Sequence, residues 1–163
     1  MSGLARGLIA GGLQLALVLA MAGKYAADRA TLPRVWVKTV PYDPHLPVRG
    51  RYVSLSVYAI AKGALPEQAY GAQAVELSVE NGELTATPVS SAANVHAHSS
   101  PQGLAIVNEP VAFFIPEGVP DPSRRPKGEE LWAEVSAPRR GPPRPLRLGV
   151  KSGGVLRPLN DLR

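Results

Sequence analysis

The chain of 163 residues predicts an all-β domain, a small barrel or sandwich of seven to nine short strands, preceded by one membrane-spanning helix. Three observations carry this. An uncharged apolar run lies near the amino terminus. Seventeen prolines and sixteen glycines punctuate the chain, and after the apolar run they fall every few residues, too often for long helices. Between them the apolar residues alternate with polar ones, the period of a strand with one buried face.

The apolar run comes first. Leu8 to Gly23, LIAGGLQLALVLAMAG, has no charge and one polar side chain, Gln14, with Arg6 just before it. A span needs about 20 residues to cross roughly 30 Å of hydrocarbon, and residues 7–27 supply them if Lys24 snorkels and Tyr25 sits at the interface. Ala20-Met21-Ala22 also fits the small-x-small rule of a cleavable signal, and a buried core helix is the third reading. We take the uncleaved signal anchor: residues 1–28, a linker over 29–33, and the β-domain over 34–163. Gly7, Gly11, Gly12 and Ala16 would let another helix pack closely. A count of flanking charges, Arg6 against Lys24, Arg29, Arg34 and Lys38, favours a cytoplasmic C-terminal side. A large folded domain translocates regardless of such charges. The expectation is therefore a single-pass protein of the bacterial inner membrane with its C-terminal domain extracytoplasmic, in the periplasm. The absence of cysteine leaves the redox compartment open.

The strands predicted are 34–40, 52–60, 74–80, 83–88, 105–108, 111–115, 131–137, 146–151 and 155–159. In the second, Val53, Leu55, Val57 and Ala59 share a core face and Tyr52, Ser54, Ser56 and Tyr58 a wet one. Asn81-Gly82 is the strongest hairpin signal, and Ser152-Gly153-Gly154 marks another. Residues 64–72 hold the one plausible helical turn. Two stretches at an offset of 78 look alike: DPHLPVRGRYVSLSV from Asp43 and DPSRRPKGEELWAEV from Asp121, each preceded by a strand. This predicts an internal pseudo-repeat over 34–60 and 111–137: strand, Asp-Pro loop, basic residue and glycine, strand. In such a unit Pro44 fixes φ, Asp43 bonds nearby amides and Gly50 adopts a conformation other residues resist.

The blocks PYDPHLPVRGRYVSLSV and AFFIPEG, with the closing hairpin RLGVKSGGVLRPL, resemble the GDYXXLXY family of bacterial membrane-anchored proteins. Asp43, Pro44, Gly50, Tyr52 and Leu55, with Pro116, Glu117 and Gly118, carry the resemblance. Arg51 stands where the family has Asp, and Val57 where it has the second Tyr. The resemblance implies an N-terminal anchor, an extracytoplasmic domain and association with a multi-spanning membrane protein. It implies no established activity.

Charge divides along the chain: +5 over residues 1–51, −6 over 52–123 and +6 over 124–163. The last segment has only Trp132 to stack on a base, so nucleic acid is not an expected partner and anionic lipid headgroups are. His96-Ala97-His98 would put two imidazoles on one face if extended and is a weak metal candidate, with His45 or a carboxylate as third ligand. Its neighbours, SSAANVHAHSS, have the composition of an exposed loop, and no metal site is expected. Glu117 and Asp43 stand by special backbone and suit turn capping better than acid–base work. Ser54 and Ser56 lack a lysine base at a motif spacing. Trp36, Tyr52, Phe113, Phe114 and Trp132 read as core or interface. The segment 138–147, PRRGPPRPLR, reads as an extended polyproline-like arm or a strand lead-in. Trp36, Arg139 and Arg140 are the partner-binding candidates. No catalytic residue and no cofactor is expected. The functional expectation is a non-catalytic accessory or stabilising subunit of a larger inner-membrane complex, with a periplasmic ligand-binding or envelope-sensing module as the alternative.

Overall fold

The computed structural model describes residues 3–42, 52–67, 69–90, 93–138 and 140–159. It divides into two compact units, residues 1–32 and 33–163. The first is helix α1, Gly3–Thr31, which ends three residues beyond the predicted anchor and absorbs part of the predicted linker. Within it Leu4–Asp28 is long and apolar enough to cross a membrane, and none of it is buried. The helix stops where Thr31 Oγ1 donates to the Ala27 carbonyl at 2.8 Å and Leu32 N–H to Asp28 O at 2.9 Å. Pro33 follows, has no N–H to continue the ladder and disfavours helix before it.

The second unit is all-β, with ten strands among the described residues against the seven to nine expected. They are β1 Arg34–Pro41, β2 Tyr52–Ala61, β3 Gln73–Glu80, β4 Glu83–Pro88, β5 His96–Ser99, β6 Ala105–Val107, β7 Val111–Phe114, β8 Glu129–Ser136, β9 Arg144–Ser152 and β10 Val155–Pro158. The additional strand is β5. Its polar, small residues have the composition of a loop. Pairing with β3 (Gln73↔Ala97) and β6 (Ala97↔Val107), with Ala97 fully buried, makes it a strand. The helical segment predicted over 64–72 shrinks to one 3-10 turn, Ala69–Gly71.

Strand β2 organises the unit. Its second half pairs with β4 in parallel (Ile60↔Thr85) and with β6 antiparallel (Tyr58↔Ile106), and the order β2-β4-β3-β5-β6 returns to β2, closing a five-stranded barrel. Its first half pairs with β1 (Val57↔Thr39) and with β7 (Val53↔Phe113), both antiparallel. From β1 the sheet continues through β8 and β9 to β10. Because side chains alternate along a strand, one face of β2 feeds the core along its whole length: Val53, Leu55, Val57 and Ala59 are all buried, as their alternation predicts. On the other face Tyr52 is exposed and Ser54 and Tyr58 are half-buried, but Ser56 is buried rather than wet. The barrel is filled by side chains, among them Val75, Leu77, Leu84, Ala86, Val95, Ala97, Ala105 and Val107. Many of these are small, as a five-stranded ring requires.

Turn chemistry sets the registers. Asn81 and Gly82, at φ 51° and 78°, close the β3–β4 hairpin with Glu80 opposite Glu83. Both positive angles are what a type I′ turn needs, and Asn-Gly tolerates them best. Gly153-Gly154 does the same between β9 and β10. The predicted polyproline arm is in its second half strand β9, which begins at Arg144. Pro145 is accommodated by a register shift: Glu134 faces Arg147 while Val135 faces Pro145, leaving Leu146 as the extra residue of a bulge.

Candidate functional site

The outward face of β1, β8 and β9 is built from tryptophans, cations and carboxylates in neighbouring register positions. Trp36 pairs across to Glu134, which pairs to Arg147; Lys38 pairs to Trp132, which pairs to Gly149. The Arg147 guanidinium lies 5.4 Å from the Trp36 ring centroid while Arg147 Nε donates to Glu134 at 2.6 Å. Lys151 Nζ stands 4.5 Å from the Trp132 ring, and Trp132 Nε1 donates to Glu130 at 3.1 Å. Lys38 donates to the same carboxylate at 2.6 Å, and this bond, ahead of the indole's, holds the Glu130 carboxyl below its ordinary range. Each tryptophan is thus stacked under a cation that is itself near a carboxylate. The indoles are half-buried, and the cation contacts add to the cohesion of this face.

A second surface lies where β1 ends and β2 begins. Tyr42 donates its N–H to the Ser54 carbonyl at 3.0 Å and continues the β1–β2 ladder. Tyr52 stands opposite Phe114 in the β2–β7 pairing, their rings edge to face at 5.8 Å. Tyr42, Tyr52 and Phe114 are 41%, 51% and 60% exposed. Ser54 and Ala112, paired between them, add no bulk. The result is an aromatic patch on a floor of small residues. Phe113, on the opposite face of β7, packs against the core. The sequence marked Tyr52 and Phe114 as core or interface; alternation in VAFF was the signal separating the two phenylalanines. Tyr42 carried no such signal, because its position depends on how far β1 extends.

Of the motif residues, Leu55 is fully buried in β2. Pro116-Glu117-Gly118 is a turn: Val119 N–H reaches Pro116 O at 3.3 Å, Gly118 takes φ 82°, and Glu117 is exposed. Asp43, Pro44, Gly50 and Arg139 lie outside the described residues. In the segment that starts at Asp121, Asp121 Oδ1 accepts from Ser123 N–H at 2.9 Å and Ser123 Oγ at 2.8 Å, and Gly128 adopts φ 92° just before β8. Of the four strands in the two stretches expected to repeat, β8 pairs with β1 and β7 with β2.

Arg140 lines an open groove of about 480 Å3 together with Val75, Leu77, Val89, Val95 and Pro138. His96 and His98 share the outer face of β5, apart from the aromatic patch; among the described residues no group of three or more histidines and carboxylates is placed to hold a metal. Gly7, Gly11, Gly12 and Ala16 lie along α1, and a Cβ at any of these glycines would meet nothing within 4 Å. Compared with protein-family models, with curated proteins and with solved structures, the chain matches none.

Proposed function

We propose that the chain is a membrane-anchored binding domain, an accessory or stabilising subunit of a larger complex of the bacterial inner membrane, with its β-unit on the periplasmic side. The observation that carries this is a filled barrel bearing an exposed aromatic patch of Tyr42, Tyr52 and Phe114 on rigid paired strands. Exposed aromatics on a fixed floor suit the desolvated centre of a protein interface. An unburied apolar helix with small residues at Gly7, Gly11, Gly12 and Ala16 supports association with membrane helices, and the resemblance to the GDYXXLXY family supports a multi-spanning partner. The basic outer residues suit the anionic headgroups beside which such a domain would work.

Gentle detergent extraction of the tagged full-length protein from its native membrane tests the proposal. Stoichiometric recovery of a multi-spanning protein, lost on Phe114→Ala, supports it; recovery as a lone monodisperse monomer overturns it. The groove beside Arg140, lined also by Glu76 and Asn94, favours a second reading, a periplasmic module binding a small polar molecule. Lone recovery would move the weight there.

A further inference from the structure

His96 and His98 stand on one face of β5, separated by Ala97, whose side chain is fully buried and locks the strand in place. Alternate residues on a strand are about 6.7 Å apart along it. Both imidazoles are held by the same edge. His96 Nδ1 lies 3.0 Å from Glu109 Oε1, and the His96 backbone N–H donates to both oxygens of that carboxylate at 3.1 and 2.9 Å. His98 Nδ1 lies 2.7 Å from Asn108 Oδ1. A carboxylate and an amide oxygen only accept, so in each neutral ring Nδ1 carries the proton and Nε2 keeps its lone pair.

Direction follows from the same bonds. Asn108 and Glu109 both come directly after β6, so both rings turn Nδ1 toward that end of β6. Asn108 stands across from His96, donating its N–H to the His96 carbonyl at 2.9 Å, so the bond from His98 to Asn108 leans that ring along the strand toward His96. Two imidazoles two residues apart on one strand face, each with its Nδ1 held by an oxygen acceptor, have the ligand-and-support pattern of histidine metal sites. The His96 side chain is 46% exposed, so an ion has access.

We propose that His96 and His98 bind one divalent transition-metal ion through Nε2, with Glu109 and Asn108 orienting them and water filling the remaining positions. Imidazole donors and the order of divalent affinities place copper(II) above zinc(II) at such a site. The ion would sit on the outer wall of the closed barrel.

Copper(II) is titrated into full-length protein in detergent micelles, carrying a histidine-free tag, by calorimetry and by electron paramagnetic resonance. One equivalent with hyperfine structure from two nitrogens is expected. His96→Ala and His98→Ala should each weaken binding at least tenfold, and the double variant should abolish it. Glu109→Gln, which keeps an acceptor but loses the charge, should weaken binding about 10-fold or more. Near-UV circular dichroism identifies any variant that has lost its fold, and the spectroscopic nitrogen count on the wild type stands without variants. No saturable equivalent, a single-nitrogen signal, or binding retained in a folded double variant would overturn the proposal.

Discussion

Gly149 sits in β9 directly beneath the Trp36 ring, and replacing it by alanine tests whether this face is packed as tightly as the geometry states. A Cβ added there would lie 2.8 Å from Trp36 Cζ3, 3.0 Å from Cη2 and 3.0 Å from the Arg157 carbonyl oxygen. The ring cannot shorten as a flexible side chain could, and the carbonyl belongs to the β9–β10 pairing. Something must therefore move by several tenths of an ångström. Overpacking of this kind costs about 1–3 kcal/mol, and lifting the indole also weakens the Arg147 contact, worth about 0.5–1 kcal/mol at an exposed site. A total near 2 kcal/mol lowers Tm by about 6–10 °C in a unit of this size. Tryptophan fluorescence during thermal and urea unfolding of the full-length protein in micelles measures it. A double-mutant cycle with Trp36→Ala should show coupling of at least about 0.5 kcal/mol, because removing the ring removes most of the clash. A Gly149→Ala variant as stable as wild type, or additivity with Trp36→Ala, would refute the packing argument.

Leu55→Ala should cost about 2–5 kcal/mol, since this side chain is fully buried in the strand common to both halves of the β-unit, and urea unfolding should remain a single transition. Gly82→Ala should lower stability by about 1 kcal/mol by forcing a Cβ into left-handed backbone at φ 78°, read as a shift in urea midpoint at constant slope. Glu130 is held below its ordinary range by Lys38 and then Trp132, so its contribution is present above the unfolded carboxylate pKa and lost as pH falls through the folded value. Stability of wild type relative to Glu130→Gln should therefore be at most about 1 kcal/mol at pH 7, given the exposure of the pair, and vanish in acid below the carboxylate range. Tyr52→Ala and Phe114→Ala should each leave the fold intact, costing about 0.5–1.5 kcal/mol for their edge-to-face contact, while abolishing co-purification of a membrane partner.

Much of the β-unit is legible in the chain because its signals are local. Val53, Leu55, Val57 and Ala59 alternate without interruption, and Asn81-Gly82 and Gly153-Gly154 specify their turns by backbone angle alone. β5 is not legible. His96-Ala97-His98-Ser99 has no branched residue to favour a strand, and it becomes one because β3 and β6 offer unpaired backbone on both sides. Ser56 fails for a related reason: alternation says which face it lies on, not whether that face is covered. The bonds from the imidazoles to Asn108 and Glu109 join residues 10 and 13 apart through a strand pairing, so no short spacing reveals them. The aromatic patch was half visible, since Phe113 and Phe114 must face opposite ways, but Tyr42 joins it only through the length of β1.

The arrangement of β2 also fixes the order in which the protein can be made. Each of its four partners apart from β1 is synthesised after it, the last being β7 at Val111–Phe114, and β1 itself waits for β8, which ends at Ser136. At about 5–20 residues per second, the roughly 75 residues between the end of β2 and the end of β8 take about 4–15 s to emerge. Throughout that interval an apolar strand has no completed sheet to enter. Slowing synthesis after residue 61 should therefore increase degradation of the nascent domain more than slowing it after residue 136.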